Sequence, residues 1–229
     1  VTLSPANLPK NGTLLDLPVA VGILIAMEKL SQEGIKDTLL LGELGLSGEL
    51  KPVKGVLPIV QKAARRGIKR CLLPAQNSWE GALIPEIEII GLHDIKETIG
   101  YLQARAKGED AGICRTQVDV RKILQDEKGQ EKLDYGEISG QRSAKRAAEV
   151  AAAGFHHLLL IGPPGSGKTM IARRLPTILP PLSVEESLEV SSVYSIAGLL
   201  PAEPPLITHR PFWNPHHTIT GRALVGSGR

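Results

Sequence analysis

The chain has 229 residues, of which 42% are hydrophobic and 22% charged, which is ordinary for a folded soluble protein and allows one large or two modest domains. The net charge of +3 permits nucleic-acid binding without indicating it, and the two cysteines, Cys71 and Cys114, lie far apart with no C-x-x-C, which argues against a zinc site or a disulfide framework. No apolar run reaches the length of a membrane span, and a reduced, cytoplasmic setting is the default expectation.

The first residues, Val1-Thr2-Leu3-Ser4-Pro5, have neither a signal-peptide layout nor an initiator Met, as expected of a fragment. Leu17 to Leu30 reads as an apolar, largely helical stretch, and Thr38 to Glu43 as a strand. Turn glycines at 45, 48 and 55 follow. Val56 to Arg66 reads as an amphipathic helix with Lys62, Arg65 and Arg66 near its C-terminal end and Gly67 as its cap. Ile68 to Leu73 and Glu86 to Ile90 are expected strands, separated by a Pro74–Asn77 loop, and Asp94 to Ala104 is an expected helix. Residues 1–103 thus form one α/β unit. Residues 104–133 are polar and of mixed charge, which predicts a linker with a short helix near Val118 to Leu124. A second domain is expected over 134–229, with a helix rich in alanine (Ala144, Ala147, Ala148, Ala151). Beyond Pro180-Pro181, Ser183-Val184-Glu185-Glu186 has the form of a capping box that opens a helix to about Val193.

One octapeptide in that second domain carries the chemistry. Gly162-Pro163-Pro164-Gly165-Ser166-Gly167-Lys168-Thr169 matches G-x-x-x-x-G-K-[ST], the P-loop pattern, and so points to ATP and Mg²⁺. Phe155 to Ile161 is expected as the buried parallel strand that leads into it, and Lys168 to Leu175 as the helix that leaves it. The glycines let the backbone approach the phosphates, Lys168 is suited to reach the β- and γ-phosphates, and the Thr169 hydroxyl to ligate Mg²⁺. Arg173-Arg174 follow on the same helix, where one could face a neighbouring subunit.

Ile138-Ser139-Gly140-Gln141, 21 residues upstream of the loop, resembles the "GQ" element that opens AAA+ modules and packs near adenine, which adds Ile138, Gly140 and Gln141 to the expected cofactor-binding set. With Ala144 to Glu149, the P-loop, and the Arg210-Pro211-Phe212 and Pro215-His216-His217-Thr218 segments, residues 134–229 look like the magnesium-chelatase branch of AAA+ ATPases. Leu41 to Val53, Ala63 to Pro74, and Asn77 resemble the Lon-protease-type domain of the ribosomal S5 domain 2-like fold. In that resemblance the Ser and Lys of a peptidase dyad fall on Asp16 and Leu57, so peptidase activity is not expected. In Lon and RadA-type proteins the ATPase comes first; here it comes second, as in the ComM/YifB family of magnesium-chelatase-like ATPases. The resemblance implies a DNA helicase that is hexameric when intact and promotes branch migration in natural transformation. Two alternatives stay open: a magnesium-chelatase-type ATPase subunit, and a nucleotide-binding remnant without hydrolysis.

After Thr169 the carboxylates are Glu185, Glu186, Glu189 and Glu203, none of them in an Asp-Glu pair behind an apolar strand. The hydrolytic Walker B site is therefore expected to be missing, and the chain to bind ATP without turning it over efficiently. Arg210, Phe212 and Trp213 combine a cation with aromatics, which suits stacking on a nucleic-acid strand or a packed subunit contact. Adjacent His216-His217 without a third ligand is a weak metal signal. The cluster Lys62, Arg65, Arg66, Lys69 and Arg70 reads as a solvated helix face before a DNA track.

Overall fold

The structure is a computed structural model, and it describes residues 13–126, 133–216 and 218–221. In chain order the helices and strands are α1 (Asp16–Ala26), β1 (Thr38–Leu40), β2 (Glu43–Leu44), β3 (Leu50–Lys51), α2 (Val56–Arg65), β4 (Arg70–Pro74), α3 (Ser78–Gly81), β5 (Glu88–Leu92), α4 (Ile95–Lys107), α5 (Val120–Gln125), α6 (Arg142–Ala153), α7 (Lys168–Arg174) and α8 (Val184–Ala197). They divide into two compact units. One contains the described residues up to Asp126 together with Ser183–Thr208; the other contains the described residues up to Leu182 that follow, and those from His209 onward.

The first unit is α/β, as the sequence predicts. A parallel sheet runs in the order β1-β4-β5, with Thr38 opposite Arg70, Leu40 opposite Leu72, and Arg70 through Pro74 opposite Glu88 through Leu92. Its central strand, β4, is apolar on both faces, as a parallel strand covered on both sides must be. The pleat sends Cys71, Leu73 and Ile89 to one face, where they meet Val56, Leu57, Val60 and Ala63 of α2, Val120 of α5 and Leu206. It sends Leu72, Ile90 and Leu92 to the other, against Leu17 and Val21 of α1 and Tyr101 and Leu102 of α4. A small antiparallel pair, β2-β3, stands apart from that sheet.

Local chemistry sets the helix ends. The Asp94 side chain accepts from the Glu97 N–H at 2.7 Å to start α4, and left-handed Gly108 ends it. The predicted capping box of α8 is present: Glu186 N–H donates to Ser183 Oγ at 3.1 Å, and Ser183 N–H to Glu186 Oε2 at 2.9 Å. Gly67 is left-handed after α2, as its capping role requires.

Two stretches differ from the sequence expectation. The polar stretch 104–133 is not a linker throughout: its described part up to Asp126 completes α4 and forms α5, and Val120 enters the core of the first unit. Residues 127–132 lie outside the described residues. Helix α8, assigned by sequence to the P-loop domain, packs in the first unit against α2 and runs on to Ala197. Its buried side is polar, formed by Ser187, Ser191 and Ser195, while Val193 and Ile196 face outward. The small serines allow close approach, and each hydroxyl is satisfied: Ser187 donates to the Ile207 carbonyl, Ser191 accepts from the Ile207 N–H, and Ser195 donates to Glu80.

Candidate nucleotide site

The second unit is built around the glycine loop. A short core of Tyr135, Ile138, Ala148 and Ile171, with Leu158, Leu160, Leu175 and Ile178 packed on it, ties together the leader before α6, α6 itself, the approach to the loop, and α7. The approach corrects an expectation. Phe155 to Ile161 is not a buried parallel strand: Leu158 and Leu160 turn inward, whereas Leu159 is 81% and Ile161 88% exposed. The alternation is that of an extended segment covered on one face. Among the described residues no strand pairs with it, and even Leu158 and Leu160 are only partly buried.

The loop itself has the expected backbone. Gly165 and Gly167 are left-handed, with φ of 80° and 83°, a region a β-carbon disfavours. At Gly162 a Cβ would meet Ser166 Oγ at 3.0 Å, so the hydroxyl would have to give way. Pro163 and Pro164 are exposed at the turn. Helix α7 opens at Lys168, whose ammonium donates to the carbonyls of Gly162 at 2.8 Å and Pro163 at 2.7 Å and to Ser166 Oγ at 3.3 Å. The one cation of the octapeptide is thereby held at its mouth. Thr169, next to it, is exposed.

The three upstream residues expected at the nucleotide are split. Gly140 and Gln141 are both left-handed, and the Gln141 side chain reaches the loop, its Nε2 donating to the Ser166 carbonyl at 3.3 Å. Ile138 is instead buried in the core beside Ile171, and its carbonyl accepts from Lys145 Nζ at 3.1 Å.

A brace behind the loop was not anticipated. Arg174 donates to the Asp134 carbonyl at 3.1 Å and to Glu137 at 2.7 Å, which fastens the leader to α7. Tyr135 donates to the Lys145 carbonyl at 2.9 Å, and Lys145 lies over its ring at 5.5 Å, which fastens the leader to α6. Burial raises the Tyr135 hydroxyl pKa above its usual value, with Glu149 adding to the effect. The Arg173-Arg174 pair was visible in the sequence, but the partners of Arg174 lie 37 and 40 residues upstream and carry no local signal.

Of the other candidates, Arg210 is packed within the same unit. Its guanidinium donates to the Pro180 carbonyl at 2.8 Å and lies 5.8 Å from the Phe155 ring centre. Phe212 and Trp213 are exposed, Trp213 the more so at 72%. His216 contacts Thr218, and His217 lies outside the described residues. Among the described residues no group of three His, Cys, Asp or Glu side chains could hold a metal ion. In the first unit, Leu57 is wholly buried and Asp16 accepts from the Leu44 N–H at 3.4 Å. Lys69 pairs with Asp37 and Arg70 with Glu88, so the basic cluster is partly neutralised.

The fold and the loop together define an α/β protein with a P-loop-type glycine loop. A family model described as magnesium chelatase, subunit ChlI, matches residues 134–229, and a second, subunit ChlI of Mg-chelatase, matches residues 1–77. The whole chain aligns with an uncharacterized protein of Mycobacterium tuberculosis at 45% identity, with the competence protein ComM of Haemophilus influenzae at 37%, and with YifB of Escherichia coli at 35%. The chain belongs to the magnesium-chelatase-like family that includes ComM and YifB. It spans 43% of the length of each of these relatives. No described helix is long and apolar enough to cross a membrane.

Proposed function

We propose that this chain is the ATP-binding portion of a ComM-like DNA-processing ATPase, with residues 134–229 as part of an AAA+ module and residues 1–103 as a non-proteolytic, S5 domain 2-like domain. The observation that carries the reading is the glycine loop with Lys168 held at its mouth by three of the loop's own oxygens. A nucleoside triphosphate fits these residues. Gly165 and Gly167 leave room for phosphate oxygens where a side chain would stand, and Lys168 supplies the charge that binds them. The Thr169 hydroxyl, one residue on, is the group to hold Mg²⁺. Bound Mg·ATP would supply a phosphoanhydride whose cleavage releases free energy. The chain's own residues bind and orient it.

Both the DNA-processing part of the proposal and the hexamer rest on the family resemblance. The exposed Phe212 and Trp213 are available for either a nucleic-acid strand or a neighbouring subunit. The test is ATP turnover by the full-length protein. Stimulation by branched DNA is the expected result. Stimulation by a chelatase partner subunit, with no response to DNA, would replace this reading with that of a metal-chelatase ATPase.

A further inference from the structure

Gln141 stands at the N-terminal boundary of α6, where Ser, Thr, Asn or Asp commonly caps a helix, yet its side chain caps nothing. It adopts φ of 50° directly after Gly140 at 69°, a conformation that costs a residue with a β-carbon more than it costs glycine. What that unusual backbone achieves is a reach across to the glycine loop, where Nε2 donates to the Ser166 carbonyl at 3.3 Å. That carbonyl belongs to the peptide joining Ser166 to Gly167. A trans peptide is planar and its C=O and N–H point in opposite directions, so fixing the carbonyl fixes the direction of the Gly167 N–H. Gly167 is left-handed, and glycine offers little resistance to rotation of this peptide.

The segment from which Gln141 projects is itself braced. Ile138 is locked in the core with Ile171, Lys145 donates to the Ile138 carbonyl, and Arg174 grips Asp134 and Glu137. Resting on the nucleotide-binding reading above, we infer that Gln141 is a positioning residue. It aims the Gly167 N–H of the phosphate loop through Ser166, and so strengthens triphosphate binding without regard to the base.

The variant to use is Gln141→Gly, because glycine accepts the left-handed backbone and so removes the amide without backbone strain at that position. Affinities for Mg·ATP and Mg·GTP are measured for the native chain and the variant. Both are expected to weaken by the same factor, about 3- to 10-fold as for loss of one neutral hydrogen bond, with their ratio unchanged. Gln141→Glu, which keeps the shape but cannot donate when ionised and brings a negative charge to the loop, shows a loss at least as large, again for both nucleotides. In nucleotide-free protein the Gly167 amide resonance shifts in both variants. A loss confined to ATP would make Gln141 a reader of adenine and overturn the inference. So would unchanged affinity for both nucleotides, or an unmoved Gly167 resonance. If the native chain binds neither nucleotide, the nucleotide-binding reading itself fails and this inference falls with it. That result differs from failure of the inference alone, in which the native chain and Gln141→Gly bind equally well.

Discussion

At the scale of single residues, the same side chain does different work according to its surroundings. Cys71 is sealed in the sheet, and burial pushes its thiol up to about 12, whereas Cys114 is exposed. A disulfide-exchange reagent at neutral pH is therefore expected to titrate one thiol in the folded protein and two in denaturant; rapid reaction of both in the folded protein would contradict the packing of β4. The pH dependence follows with its sign. The folded thiol keeps its proton up to about 12, while in the unfolded chain it loses it around the ordinary thiol value of 9.0, so the unfolded state binds fewer protons between those values. Stability should fall as pH rises from 9.0 toward about 12. Chemical denaturation at a series of pH values checks this, and Cys71→Ala, though less stable at neutral pH, should show a shallower decline. The loop residues of the nucleotide site were legible in the sequence because their task is local: glycines for left-handed turns, one lysine, one threonine. Arg174 and Arg210 were visible as cations, but their roles were not, because the Asp134, Glu137, Pro180 and Phe155 partners come from distant stretches of chain.

At the scale of elements, α2 begins without a capping side chain, because Gly55 precedes it. The orphan Leu57 N–H is instead satisfied by Glu80 Oε1 at 3.0 Å, and the same oxygen accepts from Ser195 of α8 at 2.5 Å. Asn77 completes the cluster, donating to Glu80 at 3.3 Å while exchanging two hydrogen bonds of 2.9 Å with the Val53 backbone. One buried carboxylate thus joins α2, α3 and α8. Glu80→Ala is expected to destabilise the protein by about 2–4 kcal/mol in urea unfolding, since it strands two buried donors. Ser191→Leu, which forces a large side chain into the serine-lined contact of α8, should cost about 1–3 kcal/mol, whereas Val193→Ser on the exposed face should change stability by less than about 0.5 kcal/mol. This helix shows where reading the sequence stops. Its start was legible in the capping box, but its fully buried stripe is serine, with Val184 and Leu188 only partly buried and Val193 and Ile196 exposed, so apolar periodicity does not mark the inner face. The strands of the sheet were legible because β4 is apolar on both faces. The approach to the loop was misread for the complementary reason: four consecutive apolar residues do not reveal whether a second strand lies beside them.

At the scale of the whole molecule, the two halves of the chain differ in what they contribute. The first unit holds the parallel sheet with both of its cores, and it includes α8 with three of the four carboxylates that follow the P-loop, Glu185, Glu186 and Glu189. Of these, Glu186 is engaged in the capping box. The second unit holds the glycine loop and its brace. Because no Asp-Glu pair behind an apolar strand follows Thr169 in this 229-residue sequence, binding and turnover should separate: Mg·ATP binds, but steady-state hydrolysis is lower by about 10²–10⁴ than in a protein with a positioned general base. Efficient turnover by the homogeneous chain would contradict that. The central claim is that the octapeptide forms a working anion cradle, and calorimetric titration of this chain with Mg·ATP, beside Lys168→Ala, tests it most directly. Binding that is lost or weakened at least tenfold in Lys168→Ala is the predicted result. No binding by the native chain, or equal binding by both, would contradict it.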